Sequence, residues 1–280
     1  MEYGTLTLCA TPIGNLEDIT YRAVRLMEEA DFIAAEDTRH TKKLLNHFNI
    51  HTRLISYHEH NKIEKGPELV RLLKEGKNIV LVTDAGTPGI SDPGEDMVKL
   101  ALEEGINVTS APGAVAGVTA LIISGQVTRR FIFEGFLPSQ KKEKAQVLER
   151  LKNETRTVIF YEAPHRLIKT LEELRDAVGN RGITVTKELT KKHETVFKTT
   201  LDEAIACYNE EEPRGEYVLI LAGKDEQELK EEIQQEWTSM SIEDHMQFYT
   251  DKGMDEKSAM KQVAKDRGVS KRDIYAYLHA

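Results

Sequence analysis

Short apolar runs of strand length alternate along the first part of this chain with longer stretches in which apolar residues recur three and four positions apart. The runs lie at residues 6–10, 32–35, 54–57, 80–82 and 106–108. Ala23, Val24, Leu26 and Met27 mark a helix across 21–30, a second helix runs through 42–48, and Leu69, Val70, Leu72 and Leu73 mark a third. Met97, Val98, Leu100, Ala101 and Leu102 mark another, starting at Glu95. Strands alternating with helices in this way read as βαβαβα and predict an α/β unit. Residues 114–123 are small and almost wholly apolar, which predicts a helix buried on all sides beside that sheet.

The loops that follow the runs hold the unusual residues. The central run opens into Thr83-Asp84-Ala85-Gly86-Thr87-Pro88-Gly89-Ile90-Ser91-Asp92-Pro93-Gly94. Its glycines admit close approach of the backbone to a ligand, and its prolines stiffen the turn. The first strand ends in Thr11-Pro12-Ile13-Gly14-Asn15, the second in Glu36-Asp37-Thr38-Arg39-His40, and the third in His58-Glu59-His60-Asn61. Open α/β sheets bind ligands beyond the carboxyl ends of their strands, so these loops predict a ligand crevice.

From Phe131 the chain is more charged and its elements lengthen. Apolar runs at 131–133, 158–161, 183–186 and 217–221 predict four strands, with helices near 141–151, 165–177 and 201–208. Hairpin-like spacing is absent, and a mixed sheet is expected. Beyond Gly223 a strongly polar stretch, 224–236, precedes two or three short helices, in which Asp255 caps one helix and Gly268-Val269-Ser270 turns into the next. The predicted domains are 1–126, 127–224 and a helix-turn-helix-like extension at 225–280. The fold class is α/β: two α/β domains plus a small C-terminal helical extension.

Composition narrows the function. A chain of 280 residues with 40% apolar residues can bury a substantial core, and its net charge of -9 argues against a generally basic nucleic-acid coat. The end is locally basic: within 256–280, Lys257, Lys261, Lys265, Arg267, Lys271 and Arg272 face Glu256, Asp266 and Asp273. Cys9 and Cys207 are too few for a disulfide framework, and no zinc-ligand spacing occurs. With no basic leader and no apolar run of about 18 residues, a cytoplasmic protein without membrane attachment is expected. Neither G-x-G-x-x-G after the first strand nor a P-loop is found, and the crevice loops suit a neutral or cationic ligand better than a polyphosphate.

The blocks Ala10–Thr20, Ala35-Glu36-Asp37-Thr38-Arg39, Thr83–Gly94 and Ala111-Pro112-Gly113-Ala114 together resemble the tetrapyrrole-methylase superfamily, the class III S-adenosylmethionine methyltransferases. Gly135-Phe136-Leu137-Pro138, residues 160–166, Lys187-Glu188-Leu189-Thr190-Lys191 and Gly215-Glu216-Tyr217-Val218 extend the resemblance over roughly residues 5–223. Corrin and porphyrin methylases commonly open the central loop with Gly-Asp-Pro, whereas this chain has Asp84-Ala85-Gly86. That departure favours a similarity to the ribosomal-RNA branch, which methylates a cytidine 2′-O ribose in 16S rRNA of the small ribosomal subunit. The resemblance implies two α/β domains with the cleft for the methyl donor, S-adenosylmethionine, between them, and a homodimer; transfer from this donor requires no metal.

For the donor, the resemblance implies Asp84, Ala85, Gly86, Ile90, Ser91 and Asp92, with Thr119 and Ala120 beside them and Tyr161, Leu189, Thr190 and Glu216 from the second domain. Methyl transfer is an in-line displacement, so orientation of the hydroxyl carries much of the catalysis, helped by a base or by a cation near the developing oxyanion. Candidates near that hydroxyl are Asn15, Asp18, Glu36, Asp37, Arg39 and Glu188. Asn15 and Asp18 are equally good helix caps. Arg129, Arg130, His165, Arg166, Lys187, Lys191 and Lys192 are candidates for RNA phosphates. Two other readings stand beside this one: a methylase of a tetrapyrrole or other small molecule, and a non-enzymatic ribosome-associated binding protein.

Overall fold

In a computed structural model that describes residues 2–279, the first part of the chain folds as β1 (Thr5–Cys9), α1 (Tyr21–Glu29), β2 (Phe32–Ala35), α2 (Thr38–His47), β3 (Arg53–Ser56), α3 (Lys62–Lys74), β4 (Ile79–Val82), α4 (Glu95–Glu103) and β5 (Asn107–Ala111). The strands form one sheet in the order β3-β2-β4-β1-β5, and every pair is parallel. All four residues of β4 are buried. Because successive side chains of a strand point to opposite faces, Leu81 joins Leu6, Leu69, Leu73 and Met97 on one side. Val80 and Val82 join Cys9, Met27 and Ile33 on the other. Each such buried side chain contributes about 2 kcal/mol.

Two helices of this unit start earlier than their apolar spacing predicts, and a side-chain cap explains the first. Asp37 accepts from the Arg39 amide and starts α2 at Thr38 rather than at 42. The His58–Asn61 cluster folds as the turn before α3, with the Asn61 side chain accepting from the His58 amide at 2.8 Å.

The helix α5 (Ala116–Ile123) leads to the second part. There β6 (Phe131–Phe136), β7 (Thr157–Glu162), β8 (Gly182–Lys187), β9 (Thr195–Thr200) and β10 (Tyr217–Leu221) alternate with α6 (Lys141–Leu151), α7 (Leu167–Val178) and α8 (Leu201–Glu210). The sheet order is β6-β7-β10-β8-β9. It is mixed, with β6 and β7 parallel and every other pair antiparallel. The sheet thus has five strands where the apolar runs predict four, and it contains a hairpin where none is expected. β9 is an edge strand of sequence Thr-Val-Phe-Lys-Thr-Thr, paired only with β8. Half-solvated at the edge, it needs no continuous apolar run.

α5 also departs from expectation. Gly117, Ala120 and Leu121 are buried, and α5 packs on β7 and β10, where Ile159, Val218 and Ile220 meet it. Val118, Ile122 and Ile123 are nevertheless 45%, 68% and 40% exposed, so the helix is not buried on all sides.

Among the described residues, three short helices follow the polar stretch as expected, and the stretch is itself a helix: α9 (Glu226–Ser239), α10 (Ile242–Asp251), α11 (Glu256–Asp266) and α12 (Lys271–Leu278). The polar stretch itself is α9, capped by Asp225 and without a buried residue. The other three enclose Met246, Ala259, Met260, Val263, Ala264 and Ile274. The Arg267 side chain ties them at their open end by donating to the Ser241 carbonyl at 2.8 Å and to His245 Nδ1 at 3.1 Å. Among the described residues no helix is long and apolar enough to cross a membrane.

Candidate active site

The carboxyl ends of β1 and β4 are tied together by their backbones. The Thr11 amide donates to the Gly86 carbonyl at 2.9 Å and the Gly86 amide returns a bond to Thr11 at 3.1 Å. The Thr87 hydroxyl donates to Ala114 at 3.0 Å and fixes the same loop to the start of α5. Ser91 sits in the left-handed region at φ 65°. A side chain at Gly94 would come within 2.9 Å of the Gly89 amide nitrogen, so only glycine lets the loop fold back on itself. The result is a rim tied by its backbone to β1 and to the start of α5.

That rim forms one wall of a cleft of about 350 Å³. Ile13, Ala85, Gly86, Thr87, Ile90, Ser91, Asp92, Val115 and Ala116 line it from the first part of the chain. Phe136, Tyr161, Glu162, Ala163, Pro164, Leu189, Glu216, Tyr217 and Val218 line it from the second. The Tyr161 hydroxyl accepts from the Gly117 amide at 3.0 Å, and Phe133 meets its ring edge-on at 5.0 Å. A mostly apolar cleft with a few convergent polar groups is the usual form of a small-molecule site.

Asp92 is the carboxylate of the first wall, with Glu36 and Asp84 near enough to act on it. Burial, then the charges of Glu36 and Asp84, push the Asp92 carboxyl up to about 6. Burial and Asp84 also raise Glu36, while Asp84 itself accepts from the Asp37 amide at 3.1 Å. Asp37 goes the other way: the Arg39 guanidinium, bound through its side chain, holds it down at about 2. A proton acceptor working near neutral pH needs a pKa close to that range. Asp92 meets this condition and Asp37 does not, while Glu36 moves in the same direction as Asp92.

A second groove shares Ile13, Ala85 and Glu216 with the cleft and continues past Gly14, Leu16, His40, Lys43, His47, Asp84 and Lys191. Between the two, Lys191 Nζ bonds Glu216 at 2.8 Å and Glu188 at 3.0 Å. Burial raises Glu188, but the Glu216 amide and Lys191 together outweigh it and hold the carboxyl below its ordinary value. Glu188 is therefore a fixed anion and a poor base.

The other residues singled out from the sequence lie as follows. Asn15 accepts from the Glu17 amide at 3.1 Å and caps a 3-10 turn containing the exposed Asp18. Arg39 is exposed and paired with Asp37 at 2.9 Å. Thr119 is half-buried and Ala120 fully buried in α5, and neither lines the cleft. Thr190 borders a shallow recess with Asn15, Lys191 and Lys192. Lys187 is half-buried at the end of β8. Arg129, Arg130 and His165 are exposed. Arg166 donates to the Leu137 carbonyl at 2.6 Å and stands 3.5 Å from the buried Glu162.

Ile13, Thr87, Val115, Ala116, Phe136, Glu162, Ala163, Pro164, Tyr217 and Val218 line the cleft without having been singled out as site residues. The Gly135–Pro138 block and the block at 160–166 carried a signal for four of them.

Comparison with known proteins fixes the family. The family model described as Tetrapyrrole (Corrin/Porphyrin) Methylases matches residues 5–205. The chain belongs to the tetrapyrrole methylase family. This tetrapyrrole methylase is 53% identical over 276 residues to the ribosomal RNA small subunit methyltransferase I of Halalkalibacterium halodurans, covering 99% of this chain and 95% of that one. It is 49% identical over 278 residues to the protein of the same name from Bacillus subtilis, again covering 99% and 95%. Among solved structures, the uroporphyrin-III-C-methyltransferase from Thermus thermophilus superposes with a TM-score of 0.56 at 18% identity, over 78% of this chain and 94% of that chain. At that identity the likeness concerns the fold of a tetrapyrrole methylase alone.

Proposed function

We propose that this chain is an S-adenosylmethionine-dependent methyltransferase that modifies small-subunit 16S ribosomal RNA at the 2′-O of a cytidine ribose, working as a cytoplasmic homodimer. The observation that carries the reading is a prebuilt cleft with a carboxylate-bearing wall in a chain about half identical, end to end, to relatives named as small-subunit ribosomal RNA methyltransferases. S-adenosylmethionine supplies an activated methyl group on a positively charged sulfur, so the chain needs no metal to activate it.

The residues fit that chemistry. The loop from Ala85 to Asp92 presents backbone groups and one ionisable carboxylate to a cationic ligand, and Tyr161 and Phe136 provide the apolar wall opposite. Asp84, Gly86, Ile90, Ser91, Leu189 and Glu216 complete the donor side, with Thr119, Ala120 and Thr190 behind or beside it. The hydroxyl to be methylated approaches from the groove with His40, Lys43 and Lys191. Cations there suit a phosphate backbone, and Lys192, Arg129, Arg130, His165, Arg166 and Lys187 add to the positive field. Asn15, Asp18, Asp37 and Arg39 shape that approach, Glu188 anchors Lys191, and Glu36, raised by burial and by Asp84, is the candidate to accept the ribose proton.

The exposed apolar row on α5 supports the homodimer. Val118 and Ile122 are four residues apart on one helix face, and Val127 and Phe131 follow them, also exposed. Apolar surface of this kind marks protein interfaces. The experiment that tests the function is methyl transfer from labelled donor to small ribosomal subunits beside a tetrapyrrole acceptor. Label in the subunits alone is expected, and label in the tetrapyrrole alone overturns the reading.

A further inference from the structure

The C-terminal helices carry charge in a pattern their own stability does not explain. α11 buries Ala259, Met260, Val263 and Ala264. On its solvent side Lys257, Lys261 and Lys265 follow at intervals of four, all exposed. At a rise of about 1.5 Å per residue the row advances about 6 Å from one lysine to the next. Like charges at that spacing oppose helix formation. Among the described residues beyond 223 the ion pairs are Lys224 with Glu232 and His245 with Asp266, and neither relieves the row.

Three of the four carboxylates at 255–273 are occupied elsewhere, and the fourth, Glu256, lies in the first turn of α11. Asp255 caps α11, Asp266 accepts from Tyr249 and Gln262, and Asp273 closes a capping box with Ser270. Lys271 and Arg272 occupy the first turn of α12, where a cation faces the positive end of the helix dipole. Tyr275, one turn on from Lys271, is 56% exposed, with its ring 4.3 Å from that of His279. Five exposed cations and an exposed ring therefore gather on two helices of a chain whose net charge is -9.

We propose that the face formed by α11 and α12 is a second RNA-docking surface, separate from the methyl-transfer cleft. Lys257, Lys261 and Lys265 run along phosphates, Lys271 and Arg272 extend the contact, and Tyr275 stacks on an unpaired base. Charge complementarity selects the occupant, since a polyanion removes the repulsion along the row and aromatic rings beside cations suit single-stranded RNA. The proposal rests on ribosomal RNA being the substrate, and it accounts for a helical unit that contributes nothing to the cleft.

The test uses the full chain, unsubstituted and as K257Q/K261Q/K265Q and K257R/K261R/K265R. Glutamine, arginine and lysine have similar helix propensities, so the fold is kept. Affinity for small ribosomal subunits is measured across salt concentrations, beside affinity for S-adenosylmethionine and sedimentation of the protein alone. The glutamine variant is expected to bind subunits about ten-fold or more weakly, with the salt slope reduced by about 2, while the arginine variant and all donor affinities stay unchanged. Unchanged subunit affinity and slope in the glutamine variant overturn the proposal. A change in self-association without a change in subunit affinity overturns it in favour of a protein partner. Failure of the unsubstituted chain to bind subunits overturns the functional reading and this proposal together.

Discussion

The hydroxyl of Tyr161 accepts a hydrogen bond from the amide of Gly117 at 3.0 Å, joining β7 of the second sheet to the first turn of α5. Both residues belong to the structure around the cleft, so the bond fixes the distance between its walls. Tyr161→Phe leaves the Gly117 amide without this partner. The expected outcome is a loss of about 1 kcal/mol in urea unfolding, together with several-fold weaker donor binding by calorimetry. A loss of stability with unchanged binding would limit the bond to a structural role.

Asp92 makes donor affinity depend on pH. Its carboxyl, raised to about 6 by burial and by Glu36 and Asp84, is charged above that value and neutral below it. Binding of S-adenosylmethionine is expected to weaken about ten-fold from pH 7 to pH 5, and Asp92→Asn is expected to flatten this dependence. Folding stability moves oppositely. A raised carboxyl pKa means the folded state binds the extra proton between the unfolded value of 3.8 and about 6. The carboxylate's cost is therefore full above 6 and gone below 3.8. Asp92→Asn should raise the melting temperature at pH 7 and leave it unchanged near pH 3.5.

Gly215 holds the Lys191 network in place. Its φ is 86°, and an added Cβ would lie 2.6 Å from the Glu188 carboxylate. Gly215→Ala combines backbone strain with displacement of Glu188, and a loss of about 1–3 kcal/mol in urea unfolding is expected. Methyl transfer should fall as Lys191 loses one anchor.

A charge placed in the apolar row of α5 tests the proposed homodimer. Ile122 is 68% exposed, so Ile122→Lys removes no core packing from the single chain. Sedimentation is expected to show a shift from dimer to monomer with little change in the circular dichroism of the fold. An unchanged dimer would move the interface elsewhere.

The central loop was legible because its glycines and prolines interrupt a buried strand within a few residues, a pattern with few physical explanations. The alternating strands and helices of the first unit followed from apolar runs spaced by helical stretches. β9 was not legible, since an edge strand such as Thr195–Thr200 needs only one good face. α5 misled because apolar composition does not distinguish a core from an interface: Leu121 is buried and Ile122 is not. α9 was hidden because a helix with no buried residue has no apolar stripe. Within the cleft, Phe136 and Tyr217 come from strands of the second sheet, and only the tertiary approach of that sheet to the Thr83–Gly94 loop brings them to the ligand side.

The measurement that tests the account most directly is transfer of labelled methyl groups from S-adenosylmethionine to small ribosomal subunits lacking the modification, followed by nucleoside analysis of the RNA. The account predicts label on the 2′-O of a cytidine ribose, lost or strongly reduced in the Asp92→Asn and Tyr161→Phe variants. Label on a base or on ribosomal protein, or no label while the donor binds normally, would contradict it.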